Sequence, residues 1–230
     1  MYLCIKDQIQ NLNIVIGCTV GCDYCYARNN VRRFHTTEDF SNPQFFESKL
    51  RLFDNKIPHN FLLTGMSDLA GWKKEWIDMV FEKIRQNPQH HFLFLSKRPD
   101  LLNIETDLQN AWFGVTVTRN SELWRIDALK QNVKAKKYHV TFEPLFDKPK
   151  NPNLDGIDWV VIGTMTGTQK NKVHTLPSWA NNIKDVASAK NIPVFFKKDL
   201  VPIMGEENMV QQLPQQFLDV LKVQYATKNK

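Results

Sequence analysis

The 230 residues are 42% apolar and 23% charged, with 15 Phe and 6 Trp, an ordinary balance for a soluble globular chain able to bury one large core. The net charge of +6 suits an anionic partner such as nucleic acid or a phosphorylated substrate, although the lysines are scattered. The first ten residues, MYLCIKDQIQ, hold no basic-then-apolar secretory run, and no stretch reaches the ~18 apolar residues of a membrane helix. No membrane association and a cytoplasmic location are therefore expected. Three of the four cysteines fall within eight residues, which does not read as a secreted disulfide framework.

Short apolar runs alternate with helix-like stretches, without internal repeats. In chain order the runs are 11–17 (NLNIVIG), 61–65 (FLLTG), 92–96 (FLFLS), 112–117 (WFGVTV), 138–142 (YHVTF), 159–163 (WVVIG) and 193–196 (PVFF). Their Val, Ile, Leu and Phe content predicts parallel strands buried on both faces. Between them, Trp76, Ile77, Val80, Phe81 and Ile84 recur at helical spacing in 73–87, which Asn87-Pro88 ends. Ser178 is the predicted cap of a helix over 178–190, and 121–130 and 214–222 read similarly. The alternation predicts an α/β fold, a partial (β/α) TIM-like barrel of six or seven parallel strands with outer helices. The alternative is a doubly wound open sheet. Residues 1–230 read as a single domain, with a core at about 11–200 and a C-terminal helical extension at about 201–230. In either architecture functional residues sit just beyond the C-terminal ends of the strands.

The first run ends in Gly17-Cys18-Thr19-Val20-Gly21-Cys22-Asp23-Tyr24-Cys25-Tyr26, a C-x3-C-x2-C pattern. Three thiolates on one loop can hold three irons of a cubane cluster, and Gly17 and Gly21 let the backbone wrap closely. A structural zinc site normally takes four ligands, and no second C-x2-C pair exists, although Cys4 or a histidine could complete one. Cys4 itself reads as a buried apolar residue.

The cysteine spacing, with aromatic Tyr24 before the last cysteine, resembles the signature of the radical S-adenosylmethionine (radical SAM) superfamily. That resemblance implies a 4Fe-4S cluster on Cys18, Cys22 and Cys25, its fourth iron chelated by the amino and carboxylate groups of S-adenosyl-L-methionine. It also implies cofactor contacts from Tyr24 and Tyr26 beside the cysteines and from polar residues at the other strand ends. Where such proteins often carry a Gly-Gly-Glu-like motif for the methionyl amino group, this chain has Gly65-Met66-Ser67-Asp68, so Ser67 and Asp68 take that position; either could instead cap a helix. Lys97 and Arg98 follow the third run and could bind the cofactor carboxylate or an anionic substrate group. Thr116 could contact the ribose, with Thr118 and Arg119 beyond it. Glu143 ends the fifth run and could bind the ribose, anchor Lys97 or Arg98, or meet substrate. Residues 163–168 form a glycine-flanked loop, one of Lys197 and Lys198 is expected to point into the barrel mouth, and His174 is a candidate proton donor on a loop.

Taken together, GCTVGCDYCYA, GMSD, FLSKRPDLL, WFGVTVT, FEPLF, DWVVIGTMTG and PSWANNIKDVASAKNIPVFFKKD resemble the phage- and mobile-element-associated radical SAM proteins of unknown function, in order over about 11–200. The chain departs from them at Met165-Thr166-Gly167, where Glu-Ser-Gly is usual, and at Lys198-Asp199, where Trp-Gly is frequent. The resemblance implies an enzyme that takes one electron from a flavodoxin- or ferredoxin-like donor. It cleaves S-adenosylmethionine to a 5′-deoxyadenosyl radical, which abstracts hydrogen from a substrate: nucleic acid or nucleotide first, protein or peptide second. Only Cys4 lies outside the motif, so there is no second cysteine cluster for an auxiliary iron–sulfur centre. Two other readings compete with it: a non-catalytic iron–sulfur or zinc-binding module docking to a nucleic-acid partner, and a metal-free barrel enzyme using Lys197 or Lys198 as a Schiff-base nucleophile.

Overall fold

The computed structural model describes residues 3–167 and 174–228. Its centre is a seven-stranded sheet: β1 (Gln10–Asn11), β2 (Asn60–Leu62), β3 (His91–Ser96), β4 (Ala111–Thr116), β5 (Tyr138–Phe142), β6 (Trp159–Ile162) and β7 (Val194–Phe196). Every neighbouring pair is parallel, and the strands lie side by side in chain order. A doubly wound sheet reverses its strand order near the middle. This one does not, so the barrel reading holds over the alternative. The sheet curls into a half-barrel with β1 and β7 at its two edges.

The outward face of the sheet packs on helices. Phe92, Phe94, Phe113, Val115, Val140 and Val160 share one core with Val80 and Ile84 of α2 (Lys74–Arg85), Ile126 and Leu129 of α3 (Trp124–Asn132) and Ala180 and Ile183 of α4 (Pro177–Ser188). Helix α1 (Tyr26–Phe34), which follows the cysteine loop, belongs to a separate small core of Ile16, Ala27, Val31 and Phe40. The alternate strand residues Leu93, Trp112, Trp159, Val161 and Phe195 face inward, where they meet Leu213 and, from α5 (Gln215–Lys228), Phe217 and Leu221. The stretch read as a C-terminal extension thus seals the lower part of the concave face, with the Phe217 ring 4.6 Å from Trp112 and 5.4 Å from Trp159.

Two elements depart from the sequence reading. The run 11–17 is not one strand: β1 stops at Asn11, and Val15–Ile16 pairs antiparallel with Gln44–Phe45. The main sheet resumes at the Gly17–Ser67 bridge, so between Asn11 and Gly17 this edge carries one residue more than Leu62 to Ser67 opposite, a bulge. Helix α4 begins at Pro177 with Leu176 as its cap, because Pro177 fits the first helical position without losing a hydrogen bond, which displaces Ser178 from the capping role.

The Phe94 and Phe113 rings, fully buried on paired strands, stack with centroids 5.1 Å apart. Phe113→Ala is expected to cost about 3–5 kcal/mol of unfolding free energy, read from urea denaturation.

Candidate active site

The cysteine loop begins at Gly17, whose φ of +119° and whose position, 2.7 Å from Pro43 Cα for any added Cβ, admit only glycine. Beyond it the Cys18 N–H donates to the Phe40 carbonyl at 2.7 Å, and the Cys25 N–H to the Cys22 carbonyl at 3.2 Å. Cys25 is the N-cap of α1, its Sγ accepting from the Arg28 N–H at 3.5 Å. All four cysteines are free thiols and half-buried. Burial, assisted by the Asp68 charge, pushes the Cys18 thiol up to about 11 against the opposing backbone bond from Val20. Burial likewise raises the Tyr24 phenol, with nearby Cys22 adding to it.

The loop overhangs a cavity of about 430 Å³ at the C-terminal mouth of the half-barrel. Cys18, Cys22 and Cys25 all line it; Cys4, the N-cap of a single turn at Ile5–Gln8, does not. Of the other residues singled out in the sequence, Tyr24, Tyr26, Ser67, Asp68, Lys97, Thr116 and Glu143 line the same cavity. Arg98 lies outside it, turned away to grip Asp100 through Nε at 2.9 Å and Nη2 at 2.7 Å. Successive residues leaving a strand point to opposite faces, so Lys97 and Arg98 cannot both face inward. The same alternation puts Lys197 in the cavity and leaves Lys198 exposed. His174 is exposed, and residue 168 of the glycine-flanked loop lies outside the described residues.

Asp68 is a structural hub as well as a wall. Its Oδ1 accepts from Ser96 Oγ at 2.6 Å and from the Ala70 N–H at 3.0 Å, and its Oδ2 accepts from the Lys97 N–H at 2.7 Å. One buried carboxylate thereby caps the turn Leu69–Gly71 and fixes the start of the Lys97 loop. Ser67 Oγ accepts from Trp72 Nε1 at 3.0 Å, and the Tyr26 hydroxyl donates to the Gly65 carbonyl at 2.6 Å. The Lys97 ammonium lies 5.8 Å from the centre of the Tyr24 ring. Thr116 is buried, and its carbonyl accepts from Arg125 Nη1 at 2.8 Å.

Glu143 does not anchor Lys97 or Arg98. It pairs with Lys197, two strands away, reaching across Gly163 at the end of β6. A Cβ on Gly163 would sit 2.9 Å from the Cδ atoms of both partners, so the glycine is what lets the pair form.

Sequence reading missed His139 and Thr141, both of which line the cavity. Strand period supplies the signal, because His139, Thr141 and Glu143 alternate onto one face of β5. The His139 ring lies over Gly114, where an added Cβ would come within 2.4 Å of Nε2. Nε2 is 3.1 Å from the Phe94 carbonyl, which can only accept, so Nε2 carries the proton. Nδ1 is then an acceptor, buried and without a partner among the described residues. Burial lowers His139 to about 4. The same cause, helped by neighbouring His90, lowers His91, whose ring lies 5.6 Å from Phe217, to about 4.

Alanine at either special glycine tests this packing. Gly114→Ala, which meets a rigid buried ring, should destabilise by about 2–3 kcal/mol, whereas Gly163→Ala, which meets two side chains able to swing outward, should cost about 1 kcal/mol in urea unfolding. Acid gives a second test. In the unfolded chain His91 and His139 titrate near 6.5, while folded they stay neutral until about 4. The unfolded state binds more protons in that window, so stability present above pH 6.5 falls as pH drops toward 4, by roughly 1.4 kcal/mol per pH unit for each histidine. His139→Gln should remove about half of this histidine contribution in unfolding titrations.

Among solved structures, three chains of spore photoproduct lyase are similar. One is a Cys-to-Ala mutant with dinucleoside spore photoproduct (12% identity, TM-score 0.43), one a Tyr-to-Phe mutant (10%, 0.41), and one the lyase complexed with dinucleoside spore photoproduct (10%, 0.41). Each comparison takes in 70% of this chain and 58% of the lyase chain, less than two thirds of the latter's length. No curated protein matches. A protein-family model described as "Protein of unknown function (DUF5131)" matches residues 5–213. With that match spanning well over half of its length, the chain belongs to the DUF5131 family.

Proposed function

We propose that this chain is a radical S-adenosylmethionine enzyme with a 4Fe-4S cluster on Cys18, Cys22 and Cys25. The observation that carries the reading is that these three thiols line one cavity with Asp68, Lys97, Thr116 and Glu143 at the end of a parallel half-barrel where such folds do chemistry. The donor set fits the group. Three cysteines on one glycine-flanked loop suit three corners of a cubane and leave its last iron for an outside ligand. Among the described residues no three His, Cys, Asp or Glu side chains converge as ligands of a single ion must. A cluster that takes each thiolate at a different iron does not require that convergence.

When bound, the cluster would supply the electron that cleaves the C–S bond of S-adenosylmethionine. The chain's own residues bind, orient and shield. Lys97 would meet the cofactor carboxylate. Asp68, with three donors already on its two oxygens, keeps acceptor capacity for the ammonium. Thr116 and the Glu143–Lys197 pair would engage the ribose and substrate. Below them Leu93, Leu95, Trp159 and Val161 give apolar walls that exclude water.

A nucleic acid or nucleotide is the first reading of the substrate, and a protein or peptide the second, because a half-barrel whose edge strands β1 and β7 do not pair is read as having a mouth wide enough for a large substrate. A flavodoxin- or ferredoxin-like protein would deliver the electron. Residues 1–230 read as one domain acting in the cytoplasm; no helix among the described residues is long and apolar enough to cross a membrane.

Anaerobic reconstitution with iron and sulfide, followed by dithionite and S-adenosylmethionine, should yield 5′-deoxyadenosine. Cys18→Ala, Cys22→Ala and Cys25→Ala should each lose the cluster, with Cys4→Ala retaining it, read by iron content and absorbance. A full cluster in any of the three motif variants would overturn the ligand assignment.

A further inference from the structure

Three cations without carboxylate partners lie on the helix that leaves the cysteine loop. Arg28, Arg32 and Arg33 lie on α1, which contains no acidic residue, and none of them forms an ion pair among the described residues. The helix stays close to the cysteine loop: Cys25 caps it, and Val31 packs in the same small core as Cys18, Cys25 and the cavity residue Phe40. Arg32 and Arg33 follow directly on Val31 and are exposed. Phe34 beside them is 62% exposed, with the Arg33 guanidinium 5.3 Å from its ring centre.

A second pairing of cation and ring borders the cysteine loop itself. Arg119, exposed and likewise without an ion pair among the described residues, lies 4.6 Å from the centre of the Phe146 ring. Phe146 meets Tyr24 of the cysteine loop edge-on at 5.2 Å, and Tyr24 lies under Lys97. Cation, ring, ring, cation thus runs as a column from the outer rim into the cavity.

Elsewhere some basic residues are neutralised and others, exposed Lys56, Lys136 and Lys150 among them, have no ion pair among the described residues. Lys74, Lys83, Arg85, Lys137 and Lys190 each hold an aspartate. What sets α1 apart is that its guanidinium groups stand on one short helix without an acidic residue and beside the exposed ring of Phe34, a pairing of cation and aromatic face that matches what a sugar–phosphate strand with unstacked bases requires. A duplex would offer no free base face to Phe34.

We propose that the rim of the mouth is a binding surface for single-stranded nucleic acid, with Arg32, Arg33 and Arg119 on phosphates and Phe34 as a stacking platform for a base. It deepens, and rests on, the reading of the mouth as the entrance for a nucleic-acid substrate.

The test is fluorescence anisotropy of a labelled oligothymidylate, alone and annealed to oligoadenylate, on the reconstituted protein across a potassium chloride series. The single strand should bind tighter than the duplex, with the logarithm of affinity falling linearly with that of salt concentration. Replacing Arg32, Arg33 and Arg119 together by Gln should lower the slope by about 2, at ~0.7 for each phosphate left without its guanidinium. Phe34→Ala should weaken binding about tenfold and leave the slope unchanged. No binding at low salt, preference for the duplex, or a slope that survives the triple substitution overturns the proposal. Iron content and S-adenosylmethionine binding, measured on the same samples, separate that failure from failure of the cofactor reading.

Discussion

Parallel pairing in unbroken chain order is the constraint on which the rest depends. Parallel neighbours need a crossover between them, so every strand delivers its C-terminal end to the same edge of the sheet. That rule gathers a cysteine loop after β1, an aspartate after β2, a lysine after β3, a glutamate after β5 and a second lysine after β7 around one opening. These residues are far apart in the chain, and no local interaction brings them together. The outward core of Phe, Val and Ile side chains against α2, α3 and α4 holds the sheet in the curvature that makes them converge.

Along the concave face polarity rises toward the opening. At the bottom His91 and Trp112 pack against Phe217. Above them come Leu93, His139 and Trp159, then Thr116 and Thr141, and finally the Glu143–Lys197 pair beneath the cysteine loop. Dry lower walls reduce the local dielectric, so charged groups at the top act more strongly on whatever lies between them than they would in water. Two glycines shape this surface. Gly114 makes room for an imidazole, and Gly163 for an ion pair that spans a strand.

The strands were legible because each is buried on both faces, which leaves uninterrupted apolar runs such as FLFLS and WVVIG. The first strand was not, since a bulge and a change of pairing partner leave no mark in an apolar pattern. The mouth was legible where chemistry clusters in sequence, as in the cysteine motif. It was less so where alternation decides between adjacent residues: of Lys97 and Arg98 only the first faces inward. His139 escaped notice because it sits inside an apolar strand rather than after it. The role of the last helix was hidden because an amphipathic pattern reveals that a face is buried, not against what.

The docking of α5 has a consequence for how the molecule comes into being. Helix α5 follows every strand in the chain, yet its Phe217 and Leu221 form the floor on which Trp112, Trp159 and Phe195 rest. During synthesis the walls of the half-barrel are made before the floor. Until α5 emerges, large aromatic side chains line an open trough, the kind of surface that draws newly made chains into premature association. Completion of the cavity is therefore a late event, gated by arrival of a single helix rather than by assembly of the sheet.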